Sequence, residues 1–423
     1  MKKIIILFLT LSAVSFSNLC ARTLTTFPKA ANNYQLYPED SLPVVSDAPE
    51  GYENFHIEHY GRHGSRWHIG YHRQDRAINM LEKVDAEGGG LTPEGKAIVG
   101  ELWRERLAME GREGELSAAG ASQHRGIAKR MAANFPLIFK EGTYVDARST
   151  IVPRCILSMS NAVAELQSQV PGLNVKMDAS VADAYYMKNF TDSAAMKAED
   201  EGIKYADRYA AANKTDGSWM KRIFKNPAAA EKVIKKDKLA DYLFEIAQNS
   251  VSVRPQSPIK DIFTPEETDR IWRKQNARWF IRGGNTPLTK GLVPMRQSNL
   301  LRNIIESADT ALVSENISAN LRFGHEIIVL PLVSLLELND YGKEYATLEE
   351  LPGNWHACDI YPMACNVQFI FARPKGKPVS TDDILVKVLL NERPVRLPVP
   401  FANGDYVKWT ELRNYYANKI GMQ

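Results

Sequence analysis

One short stretch of the sequence groups a histidine with two arginines. Arg62, His63 and Arg66 stand in the order Arg-His-Gly-x-Arg, and Gly64 lets the backbone approach a ligand closely. Because like charges repel, a fold that gathers arginines usually binds an anion, and the planar guanidinium group matches phosphate oxygens in pairs. An uncharged imidazole beside that anion can attack phosphorus or act as a base. The stretch therefore predicts a phosphate site with a reactive histidine; the alternative is a basic surface turn that holds a structural histidine.

Two later positions offer related chemistry. Arg154 stands where a predicted strand over residues 143–148 leads into a helix, and an arginine there can combine its guanidinium group with the helix N-terminus to bind an anion. Arg148 is the second candidate in this segment. His325 and Glu326 follow a short predicted strand and precede an apolar helix. The alternative at each position is structural: a surface arginine at 154 and a structural carboxylate at 326.

These residues need a scaffold that ends several strands at one edge, and the surrounding sequence predicts an α/β protein. Alternation over residues 54–60 predicts a strand that leads into the Arg-His-Gly-x-Arg stretch, and open α/β sheets bind ligands at such strand ends. Thr92 and Ser117 are predicted helix caps, and His124 in the second helix is expected to pack that helix or to support the site. Further strands are predicted over 366–373, 384–390 and 395–399, the first two as an antiparallel hairpin, and further helices over 295–312 and 409–420.

The middle of the chain has a different composition. Residues 170–290 are rich in alanine, lysine and aromatic residues, and helical patterns dominate, with a strong helix start at Thr264. They predict a mainly helical insertion over the α/β core. Residues 214–238 carry eight Lys and Arg against three Asp and Glu. This basic stretch either faces a polyanionic substrate or forms a solvated helix face. Lys188 is a further candidate for a substrate contact.

The N-terminus predicts export. Two lysines precede a short apolar run, which is the pattern of a secretory signal peptide with cleavage after Ala21. The run is too short to span a bilayer. Cleavage removes Lys2 and Lys3 and lowers the formal net charge from +3 to about +1, so nucleic-acid binding through bulk charge is disfavoured. The mature chain is expected in the periplasm or outside the cell, with residues 22–50 lying as an arm on the core.

The cysteines and histidines show no pattern typical of a metal site. No CxxC pair and no His/Cys ligand spacing suggests zinc. Cys155 has no arginine six residues later, as a cysteine-phosphatase loop would require, and is expected to be buried. Cys358 and Cys365 lie close together in a chain predicted to be exported, so a disulfide between them is one expectation and two reduced thiols are the other.

Three separated phrases, taken together, resemble the active site of the second branch of the histidine phosphatase superfamily, which covers acid phosphatases and phytases. They are Arg62-His63-Gly64-Ser65-Arg66, Pro153-Arg154-Cys155 and Gly324-His325-Glu326. The resemblance is to the bacterial multiple inositol-polyphosphate phosphatases in particular. It implies a phosphoglycerate-mutase-like, three-layer α/β core, with a central mixed sheet flanked by helices, and a mainly helical insertion (cap). The implied division is a signal peptide over 1–21, the core over 22–165 and 290–423, and the insertion over 166–289.

The resemblance also implies a role for each site residue. His63 is implied to be the nucleophile that becomes transiently phosphorylated, and Glu326 the acid that protonates the leaving oxygen. The residues implied to bind phosphate are Arg62, Arg66, Arg154 and His325. The sequence departs from the family pattern here, because the acid phosphatases carry His-Asp and the inositol-polyphosphate phosphatases carry His-Ala-Glu. Trp67 and His68 replace the proline that often follows the second arginine of the motif.

We therefore expect an exported phosphomonoester hydrolase that forms a phosphohistidine and acts on phytate or other inositol polyphosphates. It should need no cofactor and no metal, because the arginines take the charge-stabilising role. Its partner is expected to be a small phosphorylated molecule. The alternatives are a broad-specificity histidine acid phosphatase and, in a different class, a protein that binds phosphorylated ligands without turnover.

Overall fold

The computed structural model describes residue 27 and residues 29–188, 192–314, 317–376 and 380–422. The predicted signal peptide over residues 1–21 lies outside these ranges. Among the helices within them, none is both long and apolar enough to cross a lipid bilayer.

A mixed sheet forms the centre of the fold, and helices cover it. Its strands are β1 (Tyr52–Arg62), β2 (Tyr144–Ser149), β3 (Asn174–Ala179), β4 (Ala319–Gly324), β5 (Asn366–Pro374), β6 (Leu385–Leu390), β7 (Arg393–Pro394) and β8 (Val407–Lys408). They lie in the order β3-β2-β4-β1-β5-β6-β7, and β8 pairs with β6. The sheet is mixed because β1 runs parallel to β4 and antiparallel to β5. The predicted fold class is confirmed.

The α-helices stand between β1 and β5 along the chain, with a last one after β8. They are α1 (His72–Ala86), α2 (Pro93–Ala108), α3 (Ala118–Asn134), α4 (Pro153–Gln169), α5 (Ala184–Met187), α6 (Ser193–Ala212), α7 (Met220–Ile223), α8 (Pro227–Val233), α9 (Lys236–Val253), α10 (Pro265–Gly283), α11 (Leu292–Met295), α12 (Ser298–Ser314), α13 (Glu326–Leu335), α14 (Leu351–Asn354), α15 (Ala357–Ile360) and α16 (Trp409–Lys419).

The C-terminal ends of β1, β2 and β4 lie side by side, and we call them the parallel edge. Residue Arg62 pairs with Gly324, and Ser149 pairs with Phe323. Each of the three strands ends at, or a few residues before, a residue that the sequence singled out. The parallel register therefore brings distant segments of the chain to one edge of the sheet, as open α/β sheets do at their ligand sites.

The predicted helix caps are confirmed. The Thr92 hydroxyl accepts a hydrogen bond from the Gly95 amide at 3.0 Å, and the Ser117 hydroxyl accepts one from the Gly120 amide at 3.2 Å. Thr264 forms a full capping box at the start of α10. These bonds satisfy amides that the first turn of a helix leaves without partners, so they fix where each helix begins.

Several predicted boundaries were wrong. The helix predicted over residues 295–312 corresponds to α12, but it begins three residues later, at Ser298, and ends at Ser314. The third C-terminal strand, predicted over 395–399, is also wrong, because β7 ends at Pro394. Beyond it, the Arg396 amide donates to Asn339 Oδ1 at 2.8 Å, so the backbone there pairs with a loop and leaves the sheet.

The range predicted as insertion contains α5 to α10, but it also contains a strand of the central sheet. Strand β3 pairs with β2 along its whole length, from Asn174 to Ala179. The sheet therefore extends one strand further than the predicted core boundary at residue 165. The division into core and insertion stays a prediction.

Cys358 and Cys365 are not joined by a disulfide. Both side chains are buried. Cys358 packs in the cluster that contains Trp272, whereas Cys365 packs in the cluster that contains Tyr60. Closeness in sequence suggested a pair, but the chain carries the two thiols into different parts of the core.

Candidate active site

The end of β1 places Arg62 and His63 at the parallel edge. The Arg62 amide donates to the Cys365 carbonyl at 2.8 Å, and the His63 amide donates to the Gly324 carbonyl at 2.9 Å. The first bond reaches towards β5 and the second towards β4. Main-chain bonds on both sides therefore fix the backbone that carries the two side chains.

The His63 imidazole is buried, oriented and uncharged. Its Nδ1 lies 2.8 Å from the Gly64 carbonyl oxygen, which can only accept, so Nδ1 carries the proton and Nε2 keeps its lone pair. Burial, together with the positive charge of Arg62 and Arg66, holds the pKa of His63 well below its usual value, although Glu326 opposes the shift. Within the described ranges Nε2 has no hydrogen-bond partner. A nucleophile or general base needs this state of the ring.

Arg62 is fixed by backbone oxygens. Its Nη1 donates to the carbonyls of Asn33 at 2.6 Å and Tyr361 at 3.0 Å, while its Nε lies 3.2 Å from Glu326 Oε2. The side chain is fully buried. The two carbonyl bonds hold one side of the guanidinium group and leave Nε and Nη2 directed away from them.

Arg66 and Arg154 bring two more guanidinium groups to the same place. Arg66 Nη1 donates to the Trp67 carbonyl at 2.9 Å, and its guanidinium group lies 5.5 Å from the centre of the Tyr34 ring. Burial and the nearby charge of Arg66 lower the pKa of Arg154, so the two guanidinium groups are close enough to repel each other. In the described part of the chain the Nε atoms of both arginines are buried without a hydrogen-bond partner. Such buried donors are unfavourable unless an acceptor reaches them.

His325 directly follows β4 and faces His63. The two imidazole centres are 5.8 Å apart, and His325 Nε2 lies 3.3 Å from the Thr150 hydroxyl. Burial, helped by the positive charges of Arg154 and Lys188, lowers the pKa of His325 to about 4, against the effect of Glu326. The ring is therefore neutral above that pH and can donate a hydrogen bond through one nitrogen.

Glu326 is the first residue of α13, and its carboxylate lies close to both Arg62 and His63. Its Oε2 is 3.2 Å from Arg62 Nε and 3.6 Å from His63 Nε2. Burial alone would raise the pKa of Glu326, but the positive charge of Arg62, together with that of Arg66, holds the pKa well below its usual value. The carboxylate is therefore ionised in this arrangement.

With this geometry in place, comparison with known proteins gives the family. Residues 61–391 match the histidine phosphatase superfamily, branch 2, and this range covers most of the chain. The chain belongs to this family. It is therefore a phosphomonoester hydrolase of the histidine acid phosphatase and phytase type.

Relatives and solved structures agree with the family. The chain is 24% identical over 390 residues to the human multiple inositol polyphosphate phosphatase 1, covering 84% of this chain and 77% of that protein. The structure resembles the multiple inositol polyphosphate phosphatase of Bifidobacterium longum in complex with phosphate, with a TM-score of 0.72, 19% identity, and coverage of 93% and 98%. It also resembles the phytase from D. castellii, with a TM-score of 0.68, 14% identity, and coverage of 93% and 85%. These two likenesses show a shared fold.

Three residues of this branch 2 phosphatase could hold a metal ion by type and distance. His63, His325 and Glu326 offer one ligand atom each, and these atoms lie within 4.8 Å of one another in the described part of the chain. The Glu326 carboxylate also interacts with the positive charges of Arg62, Arg66 and Arg154, and these charges repel a cation. The arrangement suits an oxyanion better than a metal ion.

Helix α3 of the phosphatase supports the loop after His63, which the sequence only partly indicated. A Cβ atom on Gly120 would lie 2.2 Å from the Ser65 carbonyl oxygen, and one on Gly64 would lie 2.4 Å from the Gly120 carbonyl oxygen. The Gln123 amide closes the contact, because its Oε1 accepts from the Ser65 amide at 2.9 Å. The Gly120 that follows the Ser117 cap was the available signal for this contact.

His124 also supports the site. Its imidazole is buried beside the Arg62 backbone, and burial lowers its pKa to about 4. Its ring packs edge-on against Phe323, with 5.6 Å between the ring centres. The structure therefore places this histidine behind the parallel edge.

The arm contributes two contacts that the sequence did not indicate. Asn33 supplies the carbonyl that accepts from Arg62, and the Tyr34 hydroxyl lies 3.3 Å from His68 Nδ1. Both residues belong to a 3-10 segment over Lys29–Tyr34 whose other members are largely buried. Backbone carbonyls carry no sequence signal, so the role of the arm appears only in three dimensions.

The two remaining candidates from the sequence, Arg148 and Lys188, differ in their position relative to the site. Arg148 pairs with Asp146 at 3.0 Å and with Asp183 at 3.2 Å, so it faces acids of its own neighbourhood. Lys188 is exposed, and its positive charge helps to lower the pKa of His325. It follows Met187, whose carbonyl accepts a hydrogen bond from the Tyr60 hydroxyl at 2.9 Å. The structure thus places Lys188 near the site and Arg148 away from it.

A cavity of about 490 Å³ lies between the arm and helices α9 and α10. Its basic lining residues are Arg73, Lys238, Lys274, Arg278 and Arg282, and its acidic ones are Asp241 and Glu245. Asn33 and Tyr34 also line it, and they contact Arg62 and Arg66 respectively. The cavity therefore adjoins the arginines of the parallel edge through Asn33 and Tyr34.

The basic stretch over residues 214–238 contributes little to this cavity. Lys214 pairs with Asp237 at 3.0 Å, and Lys236 pairs with Glu231 at 3.0 Å. Lys238 is the member of the stretch that lines the cavity. The other cavity cations come from α1 and α10.

Proposed function

We propose that the protein is an exported phosphatase that works through a phosphohistidine and acts on phytate or other inositol polyphosphates. The observation that carries this proposal is the buried, uncharged His63, whose Nε2 lies beside Arg62, Arg66 and Glu326. An unprotonated imidazole nitrogen among guanidinium groups is the arrangement that attack on a phosphoryl group requires.

The proposed reaction has two steps. His63 Nε2 attacks phosphorus, the bond to the leaving oxygen breaks, and Glu326 in its protonated form gives its proton to that oxygen. The resulting carboxylate then takes a proton from water as the water attacks the phosphohistidine, which releases inorganic phosphate. The phosphoryl oxygens are held by Arg62, Arg66, Arg154 and His325, whose donors match the charge that develops in the transition state.

An inositol polyphosphate fits the distribution of charge around the site. The cavity beside the arm is lined by five basic and two acidic side chains. Its lining stays net positive after Arg73 pairs with Glu245 and Lys274 with Asp241, so it favours a ligand with several phosphates. Lys188 adds a further cation near His325. The names of the human and Bifidobacterium relatives point to the same class of substrate.

Export is proposed from the sequence of the first 21 residues, which has a basic start followed by a short apolar run. Expression of the whole chain in a bacterial host and N-terminal sequencing of the processed protein test it. A mature N-terminus at Arg22 is the expected result, and an unprocessed protein retained in the cytoplasm contradicts export.

Phosphate release from phytate tests the enzymatic proposal. The mature protein is incubated with phytate at pH 4–7 with a metal chelator, and released phosphate is measured. We expect multiple turnovers, and loss of nearly all activity in His63→Ala, while His72→Ala, at an exposed histidine, keeps it. Saturable phytate binding without release would favour the binding-protein alternative, and equal turnover of sugar phosphates and nucleotides would favour a broad-specificity phosphatase.

A further inference from the structure

The nucleophile and the proton donor lie too close together for both to act in these positions. Glu326 Oε2 is 3.6 Å from His63 Nε2. In a phosphoryl transfer the attacking atom and the leaving oxygen lie roughly in line, with phosphorus between them. The acid must therefore reach an oxygen on the far side of the phosphoryl group from His63.

Distances show the conflict. An attacking nitrogen approaches phosphorus at roughly 3–3.5 Å, and a proton donor must lie within about 2.6–3.2 Å of the leaving oxygen. A carboxylate oxygen that satisfies the second condition while it stays 3.6 Å from His63 Nε2 would lie inside the phosphoryl group itself. Either the carboxylate or the imidazole has to move.

The surroundings decide which group moves. His63 is held by its Nδ1 bond to the Gly64 carbonyl, and Arg62 is held by two backbone carbonyls. The Glu326 carboxylate contacts Arg62 Nε and His63 Nε2, which are the atoms that an arriving phosphoryl group must approach. The Glu326 side chain also retains 12% exposure, whereas those of Arg62 and His63 have none.

The geometry points to an exchange, an inference that rests on the proposed function: the Glu326 carboxylate occupies the space beside Arg62 Nε and His63 Nε2 that the phosphoryl group must enter, and an arriving phosphate displaces it towards the leaving group. The exchange lets one side chain serve in two positions. In the first it neutralises Arg62 beside the nucleophile. In the second it faces the leaving oxygen, away from the guanidinium group that keeps it ionised.

The exchange predicts that Glu326 weakens the binding of any tetrahedral oxyanion. A ligand that must first displace a bound group binds with an affinity reduced by the fraction of protein in the open arrangement. Removing the competing carboxylate should therefore tighten the binding of inorganic phosphate, although it removes the proposed acid. Equilibrium binding measures this without turnover, so it stays separate from the test of phosphatase activity.

Two variants distinguish exchange from simple repulsion. Isothermal titration with inorganic phosphate is run on the wild-type protein, Glu326→Gln and Glu326→Asp. Glutamine removes the charge, whereas aspartate keeps it but is one methylene too short to reach Arg62 Nε and His63 Nε2 together. We expect phosphate to bind about tenfold tighter to Glu326→Gln and several-fold tighter to Glu326→Asp.

The control is Glu94→Gln, which removes a carboxylate that pairs with Arg222 at the surface, and its phosphate affinity should equal that of the wild type. Tighter binding in the glutamine variant with wild-type affinity in Glu326→Asp would mean repulsion alone and overturn the exchange. Unchanged or weaker binding in both variants would overturn it as well. If Glu326→Gln does not fold, the aspartate variant decides on its own.

Discussion

The cations of the parallel edge differ from those of residues 214–238 in what balances them. At the edge, the buried Nε atoms of three arginines lack hydrogen-bond partners within the described ranges, and the nearby Glu326 is one carboxylate for all of them. These arginines are Arg62, Arg66 and Arg154. In the basic stretch the cations lie near the surface, and Lys214 pairs with its own acid, Asp237. This difference shows that a buried cationic donor without a hydrogen-bond partner indicates an anion site, whereas a high density of basic residues along the sequence does not.

The most direct test of this difference uses Arg148 and Arg154, which lie in one segment of the chain but differ in their partners. We expect Arg154→Ala to lower kcat for phytate by about 10²–10³-fold, because it removes a preorganised donor. Arg148→Ala, which removes an arginine paired with Asp146 and Asp183, should change kcat by less than about fivefold, because a partly exposed ion pair contributes little. Steady-state kinetics measures both, and equal losses would remove the distinction.

Two carboxyl groups of α2, near its contact with α9, show the same contrast: one pairs with a charged residue and the other, within the described ranges, does not. Glu105 is buried and accepts hydrogen bonds from the hydroxyls of Ser250 at 2.8 Å and Ser257 at 2.9 Å. Arg254, the nearby cation, pairs instead with Glu101 at 2.8 Å. Burial therefore raises the pKa of Glu105 to about 7, although the two hydroxyls oppose the shift.

This raised pKa predicts how the free energy of unfolding depends on pH. The folded state keeps the proton of Glu105 up to about pH 7, whereas the unfolded chain loses it near 4.5, so the stabilisation is complete below pH 4.5 and is lost as the pH rises to 7. Glu105→Gln should remove this loss and gain up to about 3 kcal/mol relative to the wild type at pH 7.5. Urea unfolding at pH 4.5 and 7.5 measures it. Glu115→Gln, at an exposed position, should leave the profile as it is; parallel profiles for wild type and Glu105→Gln would contradict the prediction.

Close backbone packing between α3 and the loop after His63 gives a third test. Gly120→Ala would place its Cβ 2.2 Å from the Ser65 carbonyl oxygen, and backbone on both sides has little room to yield. We expect a loss of about 1–3 kcal/mol in the free energy of unfolding, together with a lower kcat. Gly100→Ala meets its nearest atom, on the flexible Arg104 side chain, at 3.7 Å and should be neutral or stabilising. Similar unfolding curves for the two variants would argue against a tight contact.

Features that depend on neighbouring residues could be predicted from the sequence. The caps Thr92 and Ser117 were found because a Ser or Thr directly before a helical pattern is a local signal for a helix start. The residues of the parallel edge were found because strand ends and arginine-histidine groupings are short motifs. Their convergence followed from the parallel order that an α/β pattern implies.

Features that depend on distant partners could not be predicted in the same way. Strand β3 was assigned to the insertion although residues 174–179 alternate polar and apolar side chains, because its pairing with β2, which the sequence does not show, places it in the central sheet. The fixing of Arg62 by the Asn33 carbonyl was missed, because every residue has such an oxygen. Likewise, the charge count over residues 214–238 could not show that Lys214 has a partner and that Lys238 faces a cavity.

This last contrast gives the prediction with the smallest effect. Lys238→Ala should raise KM for phytate about threefold, because it removes one of several cations that line the cavity, while KM for p-nitrophenyl phosphate, which carries a single phosphate, should stay the same. Lys214→Ala, from the same stretch, removes a lysine paired with Asp237 and should change neither value. If both lysine variants raise KM for phytate equally, or if KM rises for both substrates, the cavity does not hold the distal phosphates. The effect should also shrink as salt is added, since the interaction is between exposed charges.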